Sequence, residues 1–290
     1  MKGSVVTIGT FDGVHLGHKK ILEDVIKNAK ENGLFSAVII MERPVKKVDG
    51  VITLAEEKAD IISSLGADKI IILPVNKKIL NTTASDFLKN VIIKQLNAKQ
   101  IVVGYNCAFG KNRQGNTAWL KKNTKKYGIT LKIVKPVKIS GQTVSSSKIR
   151  DFIKKGDIDS ANMMLGRIFE INGIHVSGNK IGRTIGFPTV NVSTDKIKIL
   201  PKGIFACSMC GKDGIFYTAV LNIGTRPTFE NLKHNIAIEV HILNFYGKWQ
   251  SKHVKILVTK FIRKEKKFSD IKSLQNAISS DVKSVQDAGL

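Results

Sequence analysis

The sequence predicts a doubly wound α/β domain followed by a small antiparallel β-barrel and a C-terminal helix, on three observations. The first half alternates nearly continuous apolar runs with helical periodicities, the pattern of a parallel sheet covered on both faces. Near residue 165 the chain changes to short strands punctuated by Gly and Pro, as in small barrels. A length of 290 residues gives room for two separate cores, with expected bounds of 1–160 and 165–290.

The runs 4–8, 34–41, 69–75, 100–104 and 130–139 are rich in Val and Ile and read as strands. Between them, 18–32 places Ile21, Leu22, Val25, Ile26 and Ala29 at helical spacing, with Gly33 as the stop. Thr53 and Glu56 read as a capping box for a helix that carries Ile61, Ile62 and Leu65 and closes at Gly66. Residues 85–96 repeat the pattern with Phe87, Leu88, Val91, Ile92 and Leu96. After helical stretches at 147–155 and 157–165, the barrel strands are expected at 169–176, 204–210, 216–222, 236–243 and 254–263. A last helix begins at Ser269, with Ile271, Leu274, Ile278 and Val282 on one stripe.

The formal charge is +24, carried by 40 Lys and only 7 Arg. The Lys are scattered as on solvated helix faces and form no stripe with interleaved aromatics, so no nucleic-acid partner is expected. Arg43, Arg113, Arg150, Arg183, Arg226 and Arg263 read as loop residues among Gly, Pro and small polar neighbours, where a planar guanidinium suits phosphate. No run of eighteen apolar residues exists, so no membrane span or membrane partner is expected. The N-terminus enters a strand without an apolar signal core, which points to a cytoplasmic address. Cys207 and Cys210 form a C-x-x-C inside a strand with no second pair, and read as buried cysteines.

Three segments of the first half fall at predicted strand ends. Gly9-Thr10-Phe11-Asp12-Gly13-Val14-His15-Leu16-Gly17-His18 opens the first helix, where free N–H groups and the helix dipole favour phosphate. His15 and His18 are three apart, so both rings can face one point and stabilise charge on a transferring phosphoryl group. The others are the loop 103–110 with Asn106, and Val144-Ser145-Ser146-Ser147-Lys148-Ile149-Arg150 at a helix start. In the second half, Gly178, Gly182 and Gly186 punctuate a string ending Pro188-Thr189-Val190-Asn191. Thr189 and Asn191 share a face of an extended segment and offer oxygen ligands suited to Mg²⁺. Glu239 is a lone carboxylate in the apolar strand 236–243, and reads either as a solvated outer-face residue or as a general base.

G-x-F-D-G-x-H-x-G-H resembles the signature of the HIGH-type nucleotidyltransferases of the bacterial FAD synthetase branch. With the other segments, the whole chain resembles the bifunctional bacterial riboflavin kinase/FMN adenylyltransferase family. The resemblance implies a Rossmann-like nucleotidyltransferase domain and a six-stranded riboflavin kinase barrel, with Mg²⁺ and ATP serving both steps. Riboflavin, FMN and ATP are the implied substrates, FMN and FAD the products, and no oligomeric state is implied. It further implies that Gly9, Phe11, His15, His18, Arg43, Asn106, Ser146 and Arg150 form the adenylyltransferase nucleotide site. Gly178, Lys180, Gly182, Arg183, Pro188, Thr189 and Asn191 would form the kinase nucleotide site, Thr189 and Asn191 as metal ligands. Glu239 would activate the ribityl hydroxyl, and Arg263, Glu265 and Phe268 would close over the flavin. The chain departs from the family's Phe-Glu-Pro-His-Pro at Ile40-Met41-Glu42-Arg43-Pro44, where Arg43 replaces the histidine. Two rival readings are a kinase alone with a degraded first domain, and a basic nucleic-acid-binding protein that keeps the fold. A direct assay for FAD separates the first, and steeply salt-dependent binding would mark the second.

Overall fold

The Val- and Ile-rich runs of the first half form one five-stranded parallel sheet. Its strands are β1 (Ser4–Gly9), β2 (Phe35–Met41), β3 (Lys69–Leu73), β4 (Ala98–Gly104) and β5 (Thr130–Val134), in the order β3-β2-β1-β4-β5. The structure is a computed structural model that describes residues 2–45, 48–178, 181–225 and 236–287. The chain divides into two units, Met1–Lys148 and Ile149–Leu290.

Apolar clusters cover both faces of the sheet. On one, Val5, Val38, Ile40 and Val102 pack against Leu22 and Val25 of α1 (Leu16–Glu31) and Ile62 of α2 (Ala55–Ser64). On the other, Val6, Ile8, Ile39 and Ile101 pack against Phe87, Leu88 and Ile92, and against Leu120 of α3 (Thr117–Thr124). β5 stops at Val134, short of the predicted end, because Pro136 cannot donate to a ladder. The Glu of the capping interaction is Glu57, not Glu56: its carboxylate accepts from Leu54 N at 2.7 Å. Thr53 instead accepts from Gly13 N at 2.9 Å and so ties the motif loop to the next helix. The segment Phe87–Gln95 is wound as a π-helix, with Leu96 N donating to Val91 O.

In the second unit, α4 (Ser146–Lys155), which begins in the first unit, and α5 (Ile158–Leu165) lead into the barrel. The barrel strands are β6 (Phe169–Val176), β7 (Val190–Ser193), β8 (Gly203–Cys210), β9 (Phe216–Thr225), β10 (Ile236–Ile242) and β11 (His253–Arg263). They close in the order β6-β7-β10-β9-β8-β11, antiparallel throughout. The strand that composition did not reveal is β7, four residues that begin at the end of the Gly- and Pro-rich string. Inward residues such as Phe205, Leu221, Ile223 and Val240 are fully buried. On the outer face, Val285 of α6 (Ile271–Asp287) packs on Ile204, Ala206 and Val220. Cys207 and Cys210 are both buried in β8, and burial raises the Cys207 thiol far above its ordinary range.

The arginines are less loop-bound than their neighbours suggest. Arg150 lies within α4, Arg183 in the short helix Ile181–Thr184, and Arg263 ends β11. Arg226 lies outside the described residues.

Two candidate functional sites

The first site lies at the carboxyl ends of β1, β4 and β5. With β2 on one side of β1 and β4 on the other, the gap between β1 and β4 is where a doubly wound sheet opens to ligands. A cavity of about 210 Å³ is lined there by His15, His18, Tyr105, Asn106, Ser146 and Ser147, among others.

Its shape follows from the turn between β1 and α1. Phe11 (φ 49°) and Val14 (φ 37°) take left-handed backbone conformations, strained for non-glycine residues and common where a site over-determines the chain. Asp12, almost fully buried, locks the turn by accepting from Ile52 N at 2.8 Å and Thr53 N at 3.2 Å. Ser146 Oγ donates to Asp12 O at 2.7 Å, so the late serine segment is bound to the same turn. His15 caps α1, its Nδ1 accepting from His18 N at 3.3 Å. That places the proton of a neutral His15 on Nε2. The two imidazoles stack, with centroids 3.6 Å apart and planes 14° from parallel.

Four expected residues therefore line one cavity: His15, His18, Asn106 and Ser146. Phe11 does not join them; it is turned into the core at 2% exposure and packs edge-on against His18, with centroids 5.2 Å apart. Gly9 lies beneath it, where a Cβ would come within 3.0 Å of the Phe11 ring. Arg43 is exposed just past the end of β2, and Arg150 sits one turn beyond Ser146 on α4. Lys58 gave no sequence signal, yet it is 1% exposed and its Nζ donates to Met41 O, Glu42 O and Thr10 O at 2.6, 3.0 and 3.3 Å.

The second site is a line of residues on the outer face of the barrel. In register, Asn191 of β7 lies opposite Glu239 of β10, Glu239 opposite Asn222 of β9, Asn222 opposite Ile204 of β8, and Ile204 opposite Arg263 of β11. Antiparallel partners share a face, so the sheet sets an amide, a carboxylate and a second amide side by side. Four strand spacings make the line about 19 Å long.

The glycines of the 178–191 string serve close approach. A Cβ on Gly178 would collide with the Asn191 side-chain amide, and one on Gly182 with the Phe187 carbonyl. The chain is thus pressed against Asn191 and Thr189. His241, on the same face of β10 as Glu239, hydrogen-bonds through Nδ1 to Pro188 O at 2.8 Å and fixes the segment that carries Thr189. Arg183 and Pro188 are exposed, and Lys180 lies outside the described residues.

Of the residues expected over a flavin, Glu265 lies against Gly224 and lines a pocket of about 540 Å³ with Phe261, Gly203, Lys202 and Lys264. Arg263 is committed elsewhere. Its Nε and Nη2 donate to the two carboxylate oxygens of Asp281 at 2.8 and 2.7 Å. That bidentate pair pins α6 to the barrel, and Phe268 packs 5.8 Å from the guanidinium. Arg263 therefore acts first as a clamp for the helix.

Comparison with known proteins covers both units. Residues 1–148 match the family described as FAD synthetase, and residues 165–288 the family described as riboflavin kinase. A Buchnera aphidicola (subsp. Acyrthosiphon pisum) protein named bifunctional riboflavin kinase/FMN adenylyltransferase is 35% identical over 98% of this chain and 92% of its own. An Escherichia coli K12 protein of the same name is 30% identical over 97% of this chain and 91% of its own. A crystal structure described as a macrolide-efflux protein from Streptococcus pneumoniae superposes with a TM-score of 0.88 at 26% identity, over 98% of this chain and 94% of that one. Among the described residues, no helix is long and apolar enough to cross a membrane.

Proposed function

The chain belongs to the bifunctional riboflavin kinase/FMN adenylyltransferase family, and from that premise we propose which of its residues carry each reaction. It phosphorylates riboflavin to FMN and transfers the adenylyl group of ATP to FMN, giving FAD and pyrophosphate.

In the first unit, the FMN phosphate oxygen attacks the α-phosphorus of ATP as the bond to pyrophosphate breaks. His15 donates from Nε2 to a phosphate oxygen, a role supported by its Nδ1 accepting the His18 N–H. His18 stacks beside it and Asn106 lines the same cavity, giving fixed donors where charge accumulates, while Ser146, its hydroxyl donating to Asp12 O, holds the turn that carries them. Arg43 supplies further positive charge from the loop after β2.

In the second unit, Glu239 takes the proton of the ribityl 5′-hydroxyl while that oxygen bonds to the γ-phosphorus and ADP leaves. Thr189 and Asn191 would hold Mg²⁺, which neutralises phosphate charge when bound. A hydroxyl and an amide oxygen are hard donors, and phosphates complete such a shell. The observation that carries this reading is the register that sets Asn191 directly beside Glu239.

The test is Glu239→Gln. FMN production from riboflavin falls by about 10²–10⁴, while FAD formation from supplied FMN persists. Kinase turnover within about tenfold of the parent, an order below that range, removes Glu239 from the reaction.

A further inference from the structure

Among the described residues, Asn222 Oδ1 is buried without a hydrogen-bond partner. It lies in a strand whose neighbouring side chains, Leu221 and Ile223, are fully buried on the inner face. Asn222 therefore points outward, beside Glu239 on one flank and Ile204 on the other. A buried acceptor left without a donor is costly, and native proteins keep few of them. An apolar residue of the same shape would suit a purely structural position better, as Ile204 does next to it.

We infer that Asn222 is a substrate-contacting residue of the kinase site, its Oδ1 accepting from the ribityl hydroxyl next to the one that is phosphorylated. The inference rests on the kinase reading above. Chemistry selects the partner: an amide oxygen needs a donor, and a triphosphate offers only acceptors, whereas a polyol chain offers one O–H per carbon. Order along the line selects the position. Asn191 marks the phosphate end, Glu239 the reacting hydroxyl, and Asn222 the next strand in the direction of Arg263. One strand spacing, about 4.8 Å, is short enough for side chains on neighbouring strands to converge on adjacent hydroxyls.

The experiment uses the full chain carrying Asn222→Leu, close in shape and without an acceptor. The expected result is a riboflavin KM raised about tenfold by the lost bond. The ATP KM and FAD formation from supplied FMN stay unchanged, and Tm is not lowered. A riboflavin analogue lacking the 4′-hydroxyl should penalise the parent but add little in Asn222→Leu, since the two changes remove one interaction. Asn222→Thr, which restores an acceptor, should recover part of the affinity. An unchanged riboflavin KM overturns the inference. So does an equal rise in the ATP KM, which would place Asn222 on the nucleotide, or a fall in Tm that accounts for the kinetics. Equal penalties from the analogue in parent and variant overturn it as well. Glu239→Gln, assayed alongside, separates the two levels: if it stays active the kinase site is misplaced, and if it is dead only the role of Asn222 is in question.

Discussion

Replacing Lys58 by Met removes the cation that holds together two loops at the mouth of the first site. The ammonium spends its three hydrogens on the carbonyls of Met41, Glu42 and Thr10. Thr10 belongs to the turn that carries His15, and Met41 and Glu42 lead into Arg43. Methionine conserves the volume, so the loss is chiefly three carbonyl partners at about 1 kcal/mol each, roughly 3 kcal/mol in all. Relief of the buried charge offsets part of it. Burial pushes the Lys58 pKa down from 10.5 to about 8, against the pull of the nearby Asp12 and Glu42 carboxylates. The folded unit therefore binds fewer protons than the unfolded chain between about 8 and 10.5, so this group adds stability as pH rises through that window. Activity should move the other way, because a neutral amine has one donor fewer for the same carbonyls. In the parent, FAD formation from FMN declines as pH rises through about 8. In Lys58→Met that limb is absent and kcat/KM at neutral pH is lower by about 10²-fold, the scale of an ångström-level misplacement. Riboflavin phosphorylation is unaffected. A variant that keeps the parent's FAD-forming kcat/KM, or its alkaline limb, shows that Lys58 does not hold these loops for catalysis.

Two further predictions concern the same unit. His15→Ala with His18→Ala suppresses FAD formation while riboflavin phosphorylation stays near the parent level, because both histidines lie in the first unit and Glu239 in the second; a parallel loss of both activities in folded protein contradicts the division of labour. Arg43→Ala weakens FAD synthesis, and Arg43→His recovers part of it, more at pH 6 than at pH 8, since imidazole charges only towards acid; equal activity of Arg43→Ala and parent makes that loop a spectator.

The parallel sheet was legible because its strands are Val- and Ile-rich runs with helices between them. The π-helix was not, because Phe87, Leu88, Val91 and Ile92 satisfy an α-helical stripe as well as the observed winding. β7 was hidden by its length of four residues and by the Gly and Pro ahead of it. At the sites, the residue types announced His15, His18, Asn191 and Glu239, but not how neighbours are shared. Arg263 resembled a ligand residue, and only the fold brings Asp281, 18 positions later, into its fork. Lys58 looked like one more solvated lysine among 40; a lysine is so seldom buried that no pattern anticipates it. Asn222 acquires meaning only from the register that sets it against Glu239.

One chain performs both reactions in sequence, in two units. The most direct measurement incubates the purified protein with riboflavin, ATP and Mg²⁺ and resolves flavins over time. The expected result is FMN first, then its conversion to FAD, and FAD from supplied FMN without riboflavin. FMN that accumulates with no FAD, from riboflavin or from supplied FMN, would contradict it.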